Sequence, residues 1–416
     1  MMQEITTEEK SEKFLTKPLI IIFLTILIDL IGFGIVIPLL TFYAEEFNAT
    51  PLDIGLLVSS YSLMQFIFSP ILGGLSDKYG RRPILFLSII GSGIGYLMMG
   101  LAGSLWMIYA GRIFGGITAG NLSTAQAYIA DVTTRENRAK GMGLFGMAFG
   151  LGFILGPALA GVLSKFGIHV PFYFAAGLSF TNAILLYFVL PESRKLSETT
   201  EIVKRKNRVA ELAEVFKDSR FTTITLQYFL LVTAFSMMTT SFAYYTSFKF
   251  GYDAERTGYL LAFVGLLAVI MQGGLLGPLA KKFGEAKLVV FGCFMLVISF
   301  AIVPFVGKDQ GGLWALLAGV ACFALGNSMA SPSLTSLASK NANDFEQGKV
   351  LGIMQSAASL ARVIGPMLCG ILLNNAVQQV DNSTLMRNFW TAAVIMLIAL
   401  LVAIYYLTQQ RKTVTA

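Results

Sequence analysis

Three charged residues lie deep inside long apolar runs: Asp29, Arg112 and Arg362. Asp29 falls about eleven residues into its run, roughly 16 Å along a helix axis and therefore near the centre of a bilayer. A charge at that depth costs at least about 2.5–3.5 kcal/mol, so it must face the bundle interior, a water-filled cavity or a partner. A carboxyl caught between burial and a nearby arginine can load and release a proton as a cavity opens to either side in turn. The competing reading is a fixed ion pair that pins two helices. Arg112 lies seven residues inside its run and is followed by Gly115, Gly116 and Gly120, which let a helix or a substrate approach closely. An arginine keeps its proton, so Arg112 can bias a carboxyl or meet an anionic group but cannot carry the proton itself. Bonding to backbone carbonyls in helix packing is its plain alternative. Arg362, in Ser359-Leu360-Ala361-Arg362, is about thirteen residues into its run, where the cost of an unpaired charge favours a place at a cavity over a purely structural role.

The elements that must hold these groups are membrane spans. Of 416 residues, 55% are hydrophobic and only 13% charged, where soluble domains carry about a quarter charged. At about 20 apolar residues per crossing, twelve spans are expected. They run 18–42, 53–75, 83–103, 105–130, 139–163, 171–190, 221–248, 256–279, 287–306, 312–338, 349–373 and 387–408. The polar stretch 191–220 is a linker between two six-helix halves, 18–190 and 221–408, with tails at 1–17 and 409–416. Lys165, Lys249, Arg256, Lys308 and Arg387 fall in loops on one side, and Arg112 and Arg362 inside spans. The rest of the 31 Lys and Arg fall on the other side, which the positive-inside rule makes cytoplasmic, with both termini.

The net charge of +7 is spread over short loops, which argues against a nucleic-acid face. The three cysteines lie in apolar runs and the one histidine, His169, in a loop. No metal site, cofactor or nucleophile–base pair is therefore expected, and an enzyme is the least fitting class.

The turn from Gly73 to Pro83 packs Asp77, Gly80, Arg81 and Arg82 between two spans, and a weaker copy runs from Gly277 to Lys287. Arg81 or Arg82 can pair with Asp131, at the end of span four, and with free carbonyls at a helix C-terminus. Asp77 can meet the N-terminal dipole of span eleven when the cytoplasmic side is shut. Lys281 and Lys340 stand at the matching positions of the second half, so the copy is not expected to form the same latch. In span five, Gly152, Gly156 and Gly161 surround Pro157, a small-residue face suited to sliding against a neighbouring helix. Gly365-Pro366 with Gly370 repeats it in span eleven. On span seven, Phe242 and Tyr245 stand with Phe235 and Met238 at helical spacing and could line an apolar pocket, although plain packing is the commoner use.

A six-plus-six parallel repeat is an architecture of secondary carriers, with the site near the midplane between halves. The pattern Gly73-x-Leu75-x-Asp77-x-x-Gly80-Arg81-Arg82 is joined by Arg112 with Gly116, by Gly152-x-x-x-Gly156-Pro157-x-x-x-Gly161, and by Leu190-Pro191-Glu192-Ser193. With these motifs the chain resembles the major facilitator superfamily, and within it the twelve-span drug:proton antiporters. Asp29–Pro38, Tyr61–Pro83, Ser104–Arg112 and Gly352–Pro366 are similar to the tetracycline-type exporters. Those exporters' further acid in span three, histidine in span eight and acid in span nine stand here as Gly95, Ala268 and about Leu296.

The resemblance implies an all-α fold with a cavity lined by spans one, four, seven and ten and gated by two, five, eight and eleven. It implies proton coupling through Asp29 and Arg112, and matches Gln65 and Gln272 to glutamines of the exporters. The Gly152–Gly161 motif marks antiporters. The expectation is a monomeric carrier of the cytoplasmic membrane that exchanges protons for an amphiphilic or weakly cationic drug-like compound. A carrier of an anionic metabolite, motivated by two central arginines against one acid, is the alternative; a non-transporting receptor of the same fold is a third.

Overall fold

The computed structural model describes residues 16–133, 135–193, 219–341 and 347–415. The expected linker therefore lies outside the described residues from 194 to 218, and the N-terminal tail from 1 to 15. Among the described residues the structure is helical: α1 Lys17–Glu45, α2 Pro51–Tyr79, α3 Arg81–Gly100, α4 Leu105–Thr118, α5 Asn121–Val132, α6 Arg135–Ser164 and α7 Val170–Val189 form the first half. The second contains α8 Ser219–Phe250, α9 Ala254–Ile270, a π turn Met271–Leu275, α10 Leu276–Phe283, α11 Glu285–Ile302, α12 Gly312–Asn341, α13 Gln347–Leu373 and α14 Asn382–Thr415. The last helix thus runs on past 408, through most of the segment expected as a tail.

Among the described residues, eleven helices are long and apolar enough to cross a membrane. The twelfth expected span, 105–130, is not one helix. It breaks at Ala119-Gly120 into α4 and α5, where Ala119 leaves helical backbone at ψ 55° and the Gly120 amide bonds back to Thr118 at 2.7 Å. An irregular backbone at membrane depth is tolerated where it is buried in protein or lines a cavity. Here the Leu72 side chain of α2 packs so closely on Gly120 that an added Cβ would lie 2.6 Å from it.

The halves meet at two equivalent seams, α2 on α13 and α6 on α9. Each seam is a glycine pair facing a proline carbonyl. A Cβ at Gly55 would lie 2.5 Å from the Pro366 oxygen and 2.9 Å from the Gly370 Cα; one at Gly258 would lie 2.6 Å from the Pro157 oxygen and 3.1 Å from the Gly161 Cα. Such backbone contact is how small residues bind membrane helices together without a hydrophobic driving force. All four glycines lie toward the side away from the chain ends. Toward the side of the ends, Gly73, Gly74, Gly277 and Gly352 have no neighbour among the described residues within 4 Å of a Cβ position. The bundle is therefore shut on one side and splayed on the other.

The π turn has a sequence cause. Gly258 stands 203 positions after Gly55, but Gly277 stands 204 positions after Gly73. One extra residue enters the second half between them, and a π turn is the way a helix takes up one residue without breaking.

Candidate functional site

The centre of the first half is built around Asp29, which is 9% exposed on α1. The helix break brings Asn121, the first residue of α5, to its carboxyl. Gly32, one turn on, admits the Tyr96 ring of α3, whose hydroxyl lies 3.1 Å from a Cβ built there. Asp29 makes no ion pair among the described residues. Arg112, on α4 and 5% exposed, turns instead to Tyr61 of α2, with its guanidinium carbon 4.3 Å from the ring centroid. Its Nε donates a long 3.4 Å bond to the Leu57 carbonyl. Cation–π contact of this kind contributes more when the pair is desolvated.

Arg362 comes to the same region from α13. It is partly buried and donates to the Ser359 Oγ at 3.4 Å, while its Nε is buried without a hydrogen-bond partner among the described residues. Next to it the Ser59 Oγ of α2 donates to the Val363 carbonyl at 2.8 Å, which ties the two halves at this level. The Tyr61 hydroxyl lies within electrostatic range of Asp29, Arg112 and Arg362 together. Phe33 packs beside Tyr61 with centroids 6.1 Å apart, and Phe153 and Phe149 continue the aromatic wall.

The other residues expected at a cavity differ in burial. Gln65 is half-buried on α2, and Gln272 is exposed in the π turn. Phe242 and Tyr245 are fully buried. Tyr245 donates to the Val306 carbonyl at 3.0 Å and packs on Phe389 of α14, so both rings belong to the packed core of the second half. In α6, Gly152 and Gly156 abut α1, where a Cβ at Gly156 would lie 2.6 Å from the Gly34 Cα; Gly161 faces α9 instead.

The turn Gly73–Pro83 forms a compact charge cluster. Gly80 closes α2 and opens α3 at φ +100°, a conformation that a side chain disfavours, and a Cβ there would meet Glu192. Arg81, 7% exposed, reaches Asp77 at 2.8 Å and Asp131 at 3.0 Å, and its Nη1 donates to the Ser76 Oγ at 2.7 Å. Arg82 donates to the Tyr187 carbonyl at the end of α7. Glu192 accepts from the Arg81 and Arg82 backbone amides at 2.8 and 3.1 Å, capping α3. Sequence reasoning noted Glu192 only as part of a motif; its signal was an acid just beyond the end of a helix.

On the shut side, Lys165 at the end of α6 meets Glu255 of α9 at 2.9 Å, beside a cavity of about 340 Å³ lined by Phe42, Glu46 and Asp253 among others. Among the described residues no cluster of His, Cys, Asp and Glu could hold a metal ion.

Residues 22–366 match the family model of the Major Facilitator Superfamily. The chain belongs to that superfamily. Within it, the chain is 32% identical over 407 residues to the tetracycline resistance protein, class H, of Pasteurella multocida, covering 96% of this chain and 98% of that one. It is 30% identical over 360 residues to multidrug resistance protein 2 of Bacillus subtilis (strain 168), covering 85% and 88%. Among solved structures, the human organic anion transporter MFSD10 (TETRAN) superposes with a TM-score of 0.70 at 23% identity over 93% of this chain and 99% of that one. A bacterial homologue of the human lysosomal transporter Spinster, in an inward-facing and unoccupied conformation, reaches 0.77 at 15% identity over 96% and 98%. These likenesses agree with the twelve-span, two-repeat fold of the superfamily.

Proposed function

We propose that this chain is a proton-coupled exporter of an amphiphilic, drug-like compound, acting by alternating access as a monomer in the cytoplasmic membrane. The observation that carries the reading is Asp29: a carboxyl buried near the centre of a span, beside a broken helix, with no ion pair among the described residues. Intramembrane carboxyls of that kind mark proton and substrate paths. The tetracycline and multidrug resistance names of the relatives support export as the direction, and the distribution of Lys and Arg supports cytoplasmic termini.

In this scheme the halves, joined by the linker at 191–220, rock about the site. The glycine–proline seams and Lys165–Glu255 hold the outer side closed while the cytoplasmic side admits the compound. The Arg81 cluster braces the cytoplasmic ends of α2, α3 and α5 so that they move as one body. After the switch, the compound leaves outward and Asp29 takes a proton from outside. The proton is released inside when the seams close again, and Arg112, always charged, sets the balance at Asp29 without itself carrying the proton.

The test is transport by purified protein in proteoliposomes with an imposed pH gradient. Asp29→Asn is expected to abolish gradient-driven transport while leaving exchange of substrate across the membrane measurable. Gradient-driven transport that persists at the wild-type rate in Asp29→Asn would remove Asp29 from the coupling step.

A further inference from the structure

We propose that Arg112 and Arg362 bind an anionic group of the transported compound, one guanidinium from each half, with the Tyr61 ring as the floor between them. The inference rests on the reading of the chain as a carrier and names the kind of compound it carries. Neither arginine has an ion pair among the described residues. Arg112 spends its guanidinium on an aromatic face at 4.3 Å and one long carbonyl bond. Arg362 has one long hydroxyl bond, and its Nε is buried without a partner. Two cations that keep their protons at membrane depth call for a counter-charge. The nearest carboxyl in this region, Asp29, is bonded to Asn121 and has no ion pair among the described residues. When Asp29 carries its proton, the site holds two positive charges and no negative one.

The geometry suits a particular ligand. The bond from Ser59 to the Val363 carbonyl holds α2 and α13 together at 2.8 Å at this level, and the Tyr61 hydroxyl lies within electrostatic range of Arg362. A planar guanidinium offers paired N–H donors that match a carboxylate, phenolate or enolate. Phe33, Phe149 and Phe153 continue the wall from Tyr61 and can take an aromatic ring system. The compound is therefore an aromatic or polycyclic acid, bound by its acidic oxygen to both halves at once. Because one arginine comes from each half, the anion would also bias the rocking of the halves, which a cation at the same place could not do.

Binding and transport test this separately. In detergent, equilibrium binding of fluorescein, an aromatic anion, is compared with that of ethidium, an aromatic cation, for wild type, Arg362→Gln and Arg362→Lys. The expected result is a loss of fluorescein affinity of about tenfold or more in Arg362→Gln, the scale of hydrogen bonds to a charged group. Arg362→Lys should recover part of it, and ethidium binding should change less than about twofold. Equal loss of both probes, no loss of either, or a wild type that binds only ethidium would overturn the proposal. Size-exclusion profiles identify a variant that fails to fold, in which case Arg362→Lys alone carries the comparison. The binding experiment needs no proton gradient, so a failure of proton coupling in proteoliposomes leaves its outcome readable.

Discussion

The two halves of this chain repeat one another in backbone and differ in charge. Both begin their third span after a glycine with positive φ, Gly80 at +100° and Gly284 at +81°. In the first half Arg81 then reaches Asp131; in the second, Glu285 reaches Lys340 at the matching positions, the same tie with its signs reversed. The expectation that the copy would form no such latch held only for the residue types named, since Glu285 supplies the acid from the other helix. The environments are unequal. Arg81 is buried among Asp77, Asp131 and Ser76, with α3 capped by Glu192, whereas Lys340 is 65% exposed. The deeper chemistry is unequal too. Gly156 abuts the Ile31 carbonyl and Gly365 the Thr233 carbonyl; in that register Asp29 is matched by Leu231. Span four is broken, while its counterpart α12 runs unbroken from Gly312 to Asn341. In the proposed scheme the first half is specialised for the proton, and the other keeps the frame and contributes Arg362.

The largest effect should come from the most unequal pair. Asp29→Asn should cut pH-driven transport by about a hundredfold or more, the scale of losing a positioned proton carrier. Leu231→Met, a volume-conserving change, should leave coupling intact and cost less than about 1.5 kcal/mol of stability. Comparable loss of coupling in both would break the contrast.

Next in size is Arg81→Gln, which takes the guanidinium away from two partly buried carboxylates and should destabilise by about 1–3 kcal/mol. Glu285→Gln should cost less than about 1 kcal/mol because its partner is exposed. Thermal unfolding of the purified variants ranks the two.

A sharper form exchanges the signs. Glu285→Lys with Lys340→Glu should recover most of the loss of either single change. Arg81→Glu with Asp131→Lys should not, because Asp77 would then face a new carboxylate; adding Asp77→Lys should restore part of the stability. Full recovery without the change at Asp77 would show that Asp77 lies outside the cluster's energetics.

The smallest effect concerns the last helix of each half. Asp381 caps α14, accepting from the Thr384 amide at 2.8 Å and from the Ser383 hydroxyl at 2.7 Å. The Thr384 amide and these neighbours hold its carboxyl down to about 2. A depressed carboxyl stabilises the fold fully above its ordinary value near 3.9, and that contribution is lost as pH falls through about 2. α7 begins at His169 without a side-chain cap. Asp381→Asn should flatten the pH dependence of the melting temperature between about pH 4 and 2, and His169→Gln should leave that acid window unchanged.

The amino-acid sequence by itself determined a good deal. Apolar run length sets the number of crossings, because the bilayer core has a fixed thickness. Spacing of repeated glycines and prolines reveals the two halves, because close helix contact admits only small residues. The cost of a central charge singles out Asp29, Arg112 and Arg362. Only the tertiary structure decided what those groups meet. The break at Ala119-Gly120 lies in a run that is long enough to cross as one helix, rich in small and polar residues, and periodicity could not place Asn121 beside Asp29. Phe242 and Tyr245 share a helix face whether that face meets a cavity or a core, and packing against Phe389 and Val306 decides for the core. The pairing of Glu285 with Lys340, and the approach of Arg362 to Tyr61 across the seam, depend on which helices the fold brings together. That choice is made by packing over the whole bundle, which no local stretch of sequence encodes.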